Sequence, residues 1–144
     1  MSVSKYEFDI HGVINAFGKN EVLERIAKSN LKNAINYFEK LKHADKGSIY
    51  IWLKNIENNN AIGVESFSIE KEINKYMVCL CEVVENGDSN TRCIENTRAK
   101  SGVTDAFGEV WDNIFLLDKE DEELILSALV ELFETGNVSN NLMD

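Results

Sequence analysis

An irregular all-α bundle of five or six helices is the fold that best fits the apolar spacing of this chain. Apolar residues recur at helical spacing in three long segments, 21–43, 69–85 and 118–133. Strand patterns and helix patterns do not alternate along the chain, as they would in an α/β fold. The 144 residues are enough for one domain with a sizeable core. We therefore expect a single domain over 1–144, with a frayed tail at 137–144.

The first segment, 5–17, fits two structures. Tyr6, Phe8 and Ile10 alternate as they would in a strand. From Ile10 to Phe17 the apolar residues step as in a helix that Asp9 would cap. We favour a short helix after an extended lead.

The segment 21–43 carries the clearest helical stripe, which includes Leu23, Ile26 and Phe38. Asn20 is a suitable N-cap, and acidic residues follow it in the first turn. Basic residues occupy the last turn, where the helix dipole favours cations. The pattern predicts one continuous helix.

Two alternatives also remain for 48–67. Ile49, Leu53 and Ile56 have helical spacing after a Ser48 cap. The β-branched and aromatic residues of 49–52 could instead pair with 62–67 as a hairpin. We favour a helix, and one short β-hairpin in 48–67 is the alternative.

The second half of the chain predicts three more helices. The first covers 69–85 and ends at Asn86 and Gly87, and a loop with one helical turn follows at 88–102. Thr104 would cap the second helix, which extends to 117.

The last predicted helix begins at Asp118, which forms a variant of the capping box with Asp121. Gly136 is the expected stop. Leu129 lies at the centre of the apolar face of this helix, and we expect it to be in the core.

Negative charge is concentrated in the last part of the chain. The segment 103–144 contains eleven carboxylates and one base, a net charge of −10 that equals the charge of the whole chain. The segments 1–48 and 49–102 carry +2 and −2. A dense acidic face on a folded scaffold attracts basic proteins and repels nucleic acid.

Six carboxylates from two predicted helices are the candidate partner-binding residues. They are Glu109, Asp112, Glu120, Asp121, Glu122 and Glu123. A helix start prefers acids, so a solvated face is the simpler interpretation of the cluster at 118–123. Five acids in six residues exceed that preference, because like charges on adjacent turns repel. A contact surface for a basic partner is the functional interpretation.

The sequence predicts neither a metal site nor a cofactor site, and it predicts no enzymatic activity. The acidic cluster lacks the central glycine of a calcium loop. Cys79, Cys81 and Cys93 do not have the spacing of a zinc or redox motif, and an odd count argues against a disulfide framework. No catalytic triad or phosphate-binding motif is visible. No signal peptide or membrane span is evident, so a cytoplasmic location is expected.

In size, acidity and lack of motifs, and in its excess of lysine and asparagine over arginine and proline, the chain resembles bacterial immunity proteins. These proteins protect bacteria from contact-dependent or polymorphic toxins. The resemblance implies a basic partner, a cognate toxin nuclease that the chain binds and neutralises. One alternative is a phage or mobile-element protein that mimics nucleic acid and blocks a host factor. Another is a small helical enzyme with a carboxylate site.

Overall fold

A computed structural model of the chain describes residues 6–56 and 62–143. They form a six-stranded antiparallel sheet, with two α-helices on one face and a two-stranded hairpin against part of the other. The strands of the sheet are β1 (Tyr6–Ala16), β2 (Lys19–Ser29), β3 (Lys46–Asn55), β4 (Gly63–Glu72), β5 (Lys75–Val83) and β6 (Ser89–Cys93). Their order across the sheet is β2-β1-β3-β4-β5-β6.

The remaining elements are two helices, one hairpin and two short 3-10 turns. They are α1 (Leu31–Lys42), β7 (Val103–Ala106), β8 (Glu109–Asp112), α2 (Glu122–Thr135) and the turns Asn113–Phe115 and Lys119–Asp121. No helix in the described ranges is long and apolar enough to cross a membrane.

The core lies between the two helices and one face of the sheet, here called the inner face. Successive strand residues point to opposite faces, so alternate residues such as Phe8, Ile10, Ile49 and Ile51 are buried there. The opposite, outer face carries the residues between them. On β3 these are polar or partly exposed side chains, and Trp52 is 47% exposed.

The all-α prediction is wrong, and the segment 21–43 shows one reason. It contains most of strand β2, the N-cap Asn30 and helix α1. Two irregularities in the pairing of β1 with β2 place every third residue of β2 opposite every second residue of β1. Leu23 and Ile26 therefore face Gly12 and Ile10 with a spacing of three. Bulges of this kind imitate the i, i+3 pattern of a helix.

The helix predicted over 69–85 is a hairpin of β4 and β5. Its turn is formed by Ile73 and Asn74, which both have positive φ angles, 52° and 59°. Ile73 fitted the helical stripe because it is apolar, but its side chain is 67% exposed at the tip. The segment 104–117 is likewise a hairpin, β7 and β8, that turns at Phe107 and Gly108.

The two segments with open alternatives both contain strands. The residues 6–16 form β1, as the alternation of Tyr6, Phe8 and Ile10 indicated, so the short helix that we favoured is wrong. Helix was also the wrong choice for 48–67. The β-hairpin alternative is right in that β3 and β4 pair, with Ile51 opposite Phe67 and Trp52 opposite Ser66. The hairpin is longer than predicted, because the pairing continues beyond residue 67 to Glu70 and Lys71. Part of that prediction, 57–61, lies outside the described residues.

The final helix is the confirmed element of the bundle prediction. Helix α2 follows the 3-10 turn that Asp118 and Asp121 cap, and the backbone N–H of Asp118 donates to Asp121 Oδ2 at 2.8 Å. Gly136 ends the helix in the left-handed conformation with φ 77°. Leu129 is fully buried.

The segment after α2, which the sequence predicts to be frayed, packs against strand β6. Arg92 donates to the carbonyl of Val138 at 2.8 Å and to Asn137 Oδ1 at 2.7 Å, and it pairs with Glu82 at 3.1 Å. Val138 and Met143 have no exposed surface. The buried guanidinium thus joins this segment to the sheet.

Strands β5 and β6 also place Cys79 directly opposite Cys93, with their Cα atoms 4.2 Å apart. The two residues form a disulfide, and Cys81 is free. The expectation that an odd number of cysteines excludes a disulfide is therefore wrong, because two of the three cysteines form a disulfide and the third is a free thiol.

Substitution of Leu129 by alanine should lower the free energy of unfolding by about 2–5 kcal/mol, since it leaves a cavity in a closely packed core. Urea denaturation followed by circular dichroism measures the loss. Leu126→Ala, on the same helix but half-buried, is the matched control and should lose clearly less. Equal losses in the two variants would mean that position 129 does not lie at the centre of the core.

Candidate functional site

Most of the predicted acidic residues lie on the two sides of one structural feature, the turn between β4 and β5, whereas Asp112 lies opposite Val103 at the far end of the β7–β8 hairpin. On the outer side, the tip of the β7–β8 hairpin is attached to β4, because the N–H of Phe107 donates to Glu72 Oε2 at 2.8 Å. On the inner side, Lys75 at the start of β5 forms an ion pair with Asp118, just before α2. Segments about ten residues apart in the chain therefore meet at the same end of the sheet. We call this region the acidic end.

Two of the six predicted carboxylates are engaged in contacts that hold α2 in place. Asp121 is 8% exposed, and its carboxylate accepts from the backbone of Asp118 and pairs with Arg98 at 2.5 Å. Glu122 accepts a hydrogen bond of 2.6 Å from the hydroxyl of Tyr76. Burial, together with this hydrogen bond, raises the pKa of Tyr76. These contacts use Asp121 and Glu122 within the fold.

The other four predicted carboxylates are more accessible. Glu120 pairs with Arg98 at 2.6 Å, yet its side chain is 79% exposed. Glu109, Asp112 and Glu123 are exposed, and no ion pair joins them to any residue of the described ranges. An exposed ion pair contributes about 0–1 kcal/mol, so Glu120 is also free to exchange its partner.

Three β-hairpin turns at this end of the sheet have apolar residues where the backbone is strained. Phe17, Ile73 and Phe107 have φ angles of 56°, 52° and 55°. Tight hairpin turns favour asparagine, aspartate or glycine at such positions, and a β-branched residue there is a genuine outlier. Phe17 is 94% exposed and Ile73 67% exposed, so little packing in the folded chain offsets the strain. Sequence reasoning missed Ile73 because it placed this residue inside a helix.

A cleft of about 420 Å³ separates the β4–β5 turn from the β7–β8 hairpin. It is lined by Glu72, Ile73, Asp105, Ala106, Gly108, Glu109 and Val110. Its lining combines three carboxylates with the exposed side chains of Ile73 and Val110. A surface of this composition suits a segment of a partner that is both basic and apolar.

The described residues contain no group of three or more histidine, cysteine, aspartate or glutamate side chains arranged to hold a metal ion.

A profile of the family of unknown function DUF6911 matches residues 6–142. The chain belongs to this family. No curated protein matches it. A crystal structure of a hypothetical protein from Neisseria gonorrhoeae is similar, with a TM-score of 0.67 and 12% sequence identity over 91% of this chain and 92% of that chain. At this identity the likeness extends to the fold alone, so a DUF6911 chain has the same general fold as the protein from Neisseria.

Replacement of Ile73 by asparagine should raise the free energy of unfolding by about 1 kcal/mol, because asparagine tolerates the left-handed conformation that a β-branched residue resists. Chemical denaturation measures the change. Val110→Asn is the matched control, since Val110 is 61% exposed but has an ordinary backbone conformation. A decrease in stability for Ile73→Asn would show that the isoleucine packs in the folded protein.

Acid should weaken the fold partly through Asp118. The hydrogen bond from Lys75 lowers the pKa of Asp118, and the charge of Lys75 and the hydrogen bond from Asn96 act in the same direction. A lowered folded pKa gives stability that is present above the ordinary value of about 3.9 and is lost as the pH falls through the folded value. Asp118→Asn should therefore lose less stability than the natural chain below about pH 4.

Urea midpoints between neutral pH and about pH 2.5 measure this difference. Asp105→Asn removes an exposed carboxylate that forms no ion pair with any residue that the structure describes, and it serves as the control. The same acid sensitivity in Asp118→Asn and the natural chain would contradict a stabilising role for the pair with Lys75.

Proposed function

We propose that this chain is a protein-binding module that neutralises a basic partner, namely an immunity protein that inhibits a cognate toxin nuclease. The observation that carries the proposal is the convergence of the two acidic segments at one end of the sheet. Glu109 lines the same cleft as the exposed apolar tip at Ile73. The exposed Glu120 and Glu123 follow Asp118, which pairs with Lys75 on the other side of the same turn. In this proposal the chain acts in the bacterial cytoplasm and has no catalytic role.

The electrostatic part of the argument concerns association. A nuclease that binds nucleic acid needs a positive groove, and an acidic surface is complementary to that groove. The net charge of −10 of this chain would steer a basic partner toward it and raise the association rate. Charge alone gives little affinity, because rim charges act mainly on the rate of encounter.

The apolar part of the argument concerns affinity. Interface energy comes mostly from a few anchors that become fully buried in the complex. Ile73 and Val110 line the cleft at the acidic end and are exposed in the free chain, so a partner could bury both. The strained conformation of Ile73 is unfavourable for folding alone, which supports a role in binding.

The test uses the purified product of the gene directly upstream of the gene for this chain as the candidate toxin. Inhibition of its nuclease activity and protection of a bacterial host that expresses it are the primary readouts. The triple variant Glu109→Lys, Glu120→Lys and Glu123→Lys should reduce the association rate by about tenfold or more at low salt, because it removes the steering charge. The variant leaves Asp121 and Glu122 intact, since both support the fold.

The matched control reverses two charges at the other end of the molecule, with Lys28→Glu and Lys32→Glu. Lys28 lines a surface depression together with Tyr6 and Phe8, and Lys32 lies in the first turn of α1. This control should change the association rate little.

The association rate of the natural chain should also fall steeply from about 0.1 M to about 1 M salt, as the screening length shrinks from about 10 Å to about 3 Å. A toxin that is neither bound nor inhibited by the folded natural chain would refute the proposal.

A further inference from the structure

A second cleft lies on the outer face of the sheet and shares Glu72 with the cleft beside Ile73. Its volume is about 270 Å³, and its lining includes Gly47, Ser48, Tyr50, Glu70 and Phe107. The strand register explains the depression. Ser48 lies between Val13 on β1 and Glu70 on β4, so a small side chain occupies the centre of the sheet while larger ones surround it.

Aromatic rings form two walls of this outer-face cleft. Tyr50 is held by stacking on His11, with ring centroids 5.5 Å apart and planes at 25°. Phe107 reaches the cleft from the tip of the β7–β8 hairpin, which the hydrogen bond to Glu72 fixes at 2.8 Å. The cleft is therefore bounded by groups that other contacts already hold in place, as a preformed binding site requires.

Glu70 contributes a carboxylate to the lining of the cleft, as Glu72 does. It is half-buried, it accepts a hydrogen bond from Tyr50, and it forms no ion pair with a residue of the described ranges. Burial raises its pKa, and the nearby charge of Glu72 acts in the same direction. Of the lysines that line the cleft, Lys71 directs its ammonium to the carbonyls of Lys42 and Ala44, and Lys46 is exposed.

We propose that the outer-face cleft receives the guanidinium of an arginine side chain from the basic partner. The identity of that partner rests on the proposed function, but the chemistry of the cleft does not. A planar guanidinium can stack on the rings of Tyr50 or Phe107 and donate two hydrogen bonds to Glu70. The lining has two carboxylates, Glu70 and Glu72, against the one exposed ammonium of Lys46, since that of Lys71 is directed to the end of α1. The balance of charge therefore favours a cation over an anion or a neutral group.

The mouth of the cleft suits the rest of such a side chain. Asn15 and Asn20 line it and are joined by a hydrogen bond of 2.9 Å, and Val13 beside them is 41% exposed. The methylene groups of an arginine can lie along Val13 while its charged end enters the cleft. An entering arginine would bring the partner next to the exposed tip at Phe17, which is joined to Asp45 by a hydrogen bond of 3.0 Å.

The test is a titration of the ¹⁵N-labelled full chain with arginine amide, followed by amide chemical shifts at constant ionic strength. Saturable shifts should appear at Ser48, Tyr50, Glu70 and Phe107 within about 50 mM ligand, a range typical of such a small group. Citrulline amide has nearly the same shape without the guanidinium charge, and it should produce no saturable shift. Glu70→Gln should weaken binding by at least about fivefold, because a charge-assisted hydrogen bond is lost.

The matched control variant is Glu65→Gln, which removes an exposed carboxylate from the same strand and should bind as the natural chain does. Equal shifts with citrulline amide, or the absence of a saturable shift with arginine amide, would overturn the inference without any variant. Unchanged affinity in a folded Glu70→Gln variant would also overturn it.

The titration needs no partner, so its outcome is separate from that of the toxin test. If the chain inhibits the toxin but arginine amide does not saturate, the cleft inference fails and the proposed function stands. If arginine amide saturates the cleft and the toxin is not bound, the proposed function fails and the cleft remains an arginine site.

Discussion

The buried ammonium of Lys71 is the interaction on which the acidic end of the molecule depends. It donates to the carbonyls of Lys42 and Ala44 at 2.8 Å and to that of Leu41 at 3.4 Å. The last carbonyls of a helix have no partner within the helix and carry partial negative charge, so the ammonium satisfies them. Burial lowers the pKa of Lys71, while the charges of Glu122 and Asp45 oppose that effect. One side chain of β4 thereby fixes the end of α1 against the sheet.

Tyr76 extends this connection to α2. Its ring centroid lies 5.6 Å from the Lys71 ammonium, and its hydroxyl donates to Glu122 in the first turn of α2. Its backbone exchanges two hydrogen bonds with Leu117, at 2.9 and 2.8 Å. The end of one helix, the start of the other and the β4–β5 hairpin are thus held together by two adjacent inner-face residues. The acidic segment before α2 has a fixed position because this junction is fixed.

The sequence predicts those elements whose signals are local. Helix α2 has its capping pair Asp118 and Asp121 and its stop at Gly136 within a few residues of the apolar face. Strand β2 has no such local signature, because its spacing of three depends on bulges that only its pairing with β1 creates. Ile73 also led to a wrong helix prediction. An apolar residue is expected in the core, but Ile73 is exposed and lies in a turn with a positive φ angle.

The candidate site likewise has features that the local sequence predicts and features that depend on distant residues. Counting charges is enough to identify the acidic segment, but the division into structural and exposed carboxylates depends on distant partners. Asp121 is buried because Arg98, 23 residues earlier, reaches it, and Glu122 is engaged because Tyr76 lies 46 residues before it. The outer-face cleft was beyond prediction, since Tyr50, Glu70 and Phe107 come from three separate strands or turns. A half-buried carboxylate that forms no ion pair within the described residues and a strained apolar residue at the end of the sheet are both unfavourable for folding, and binding to a partner is the process that would use them.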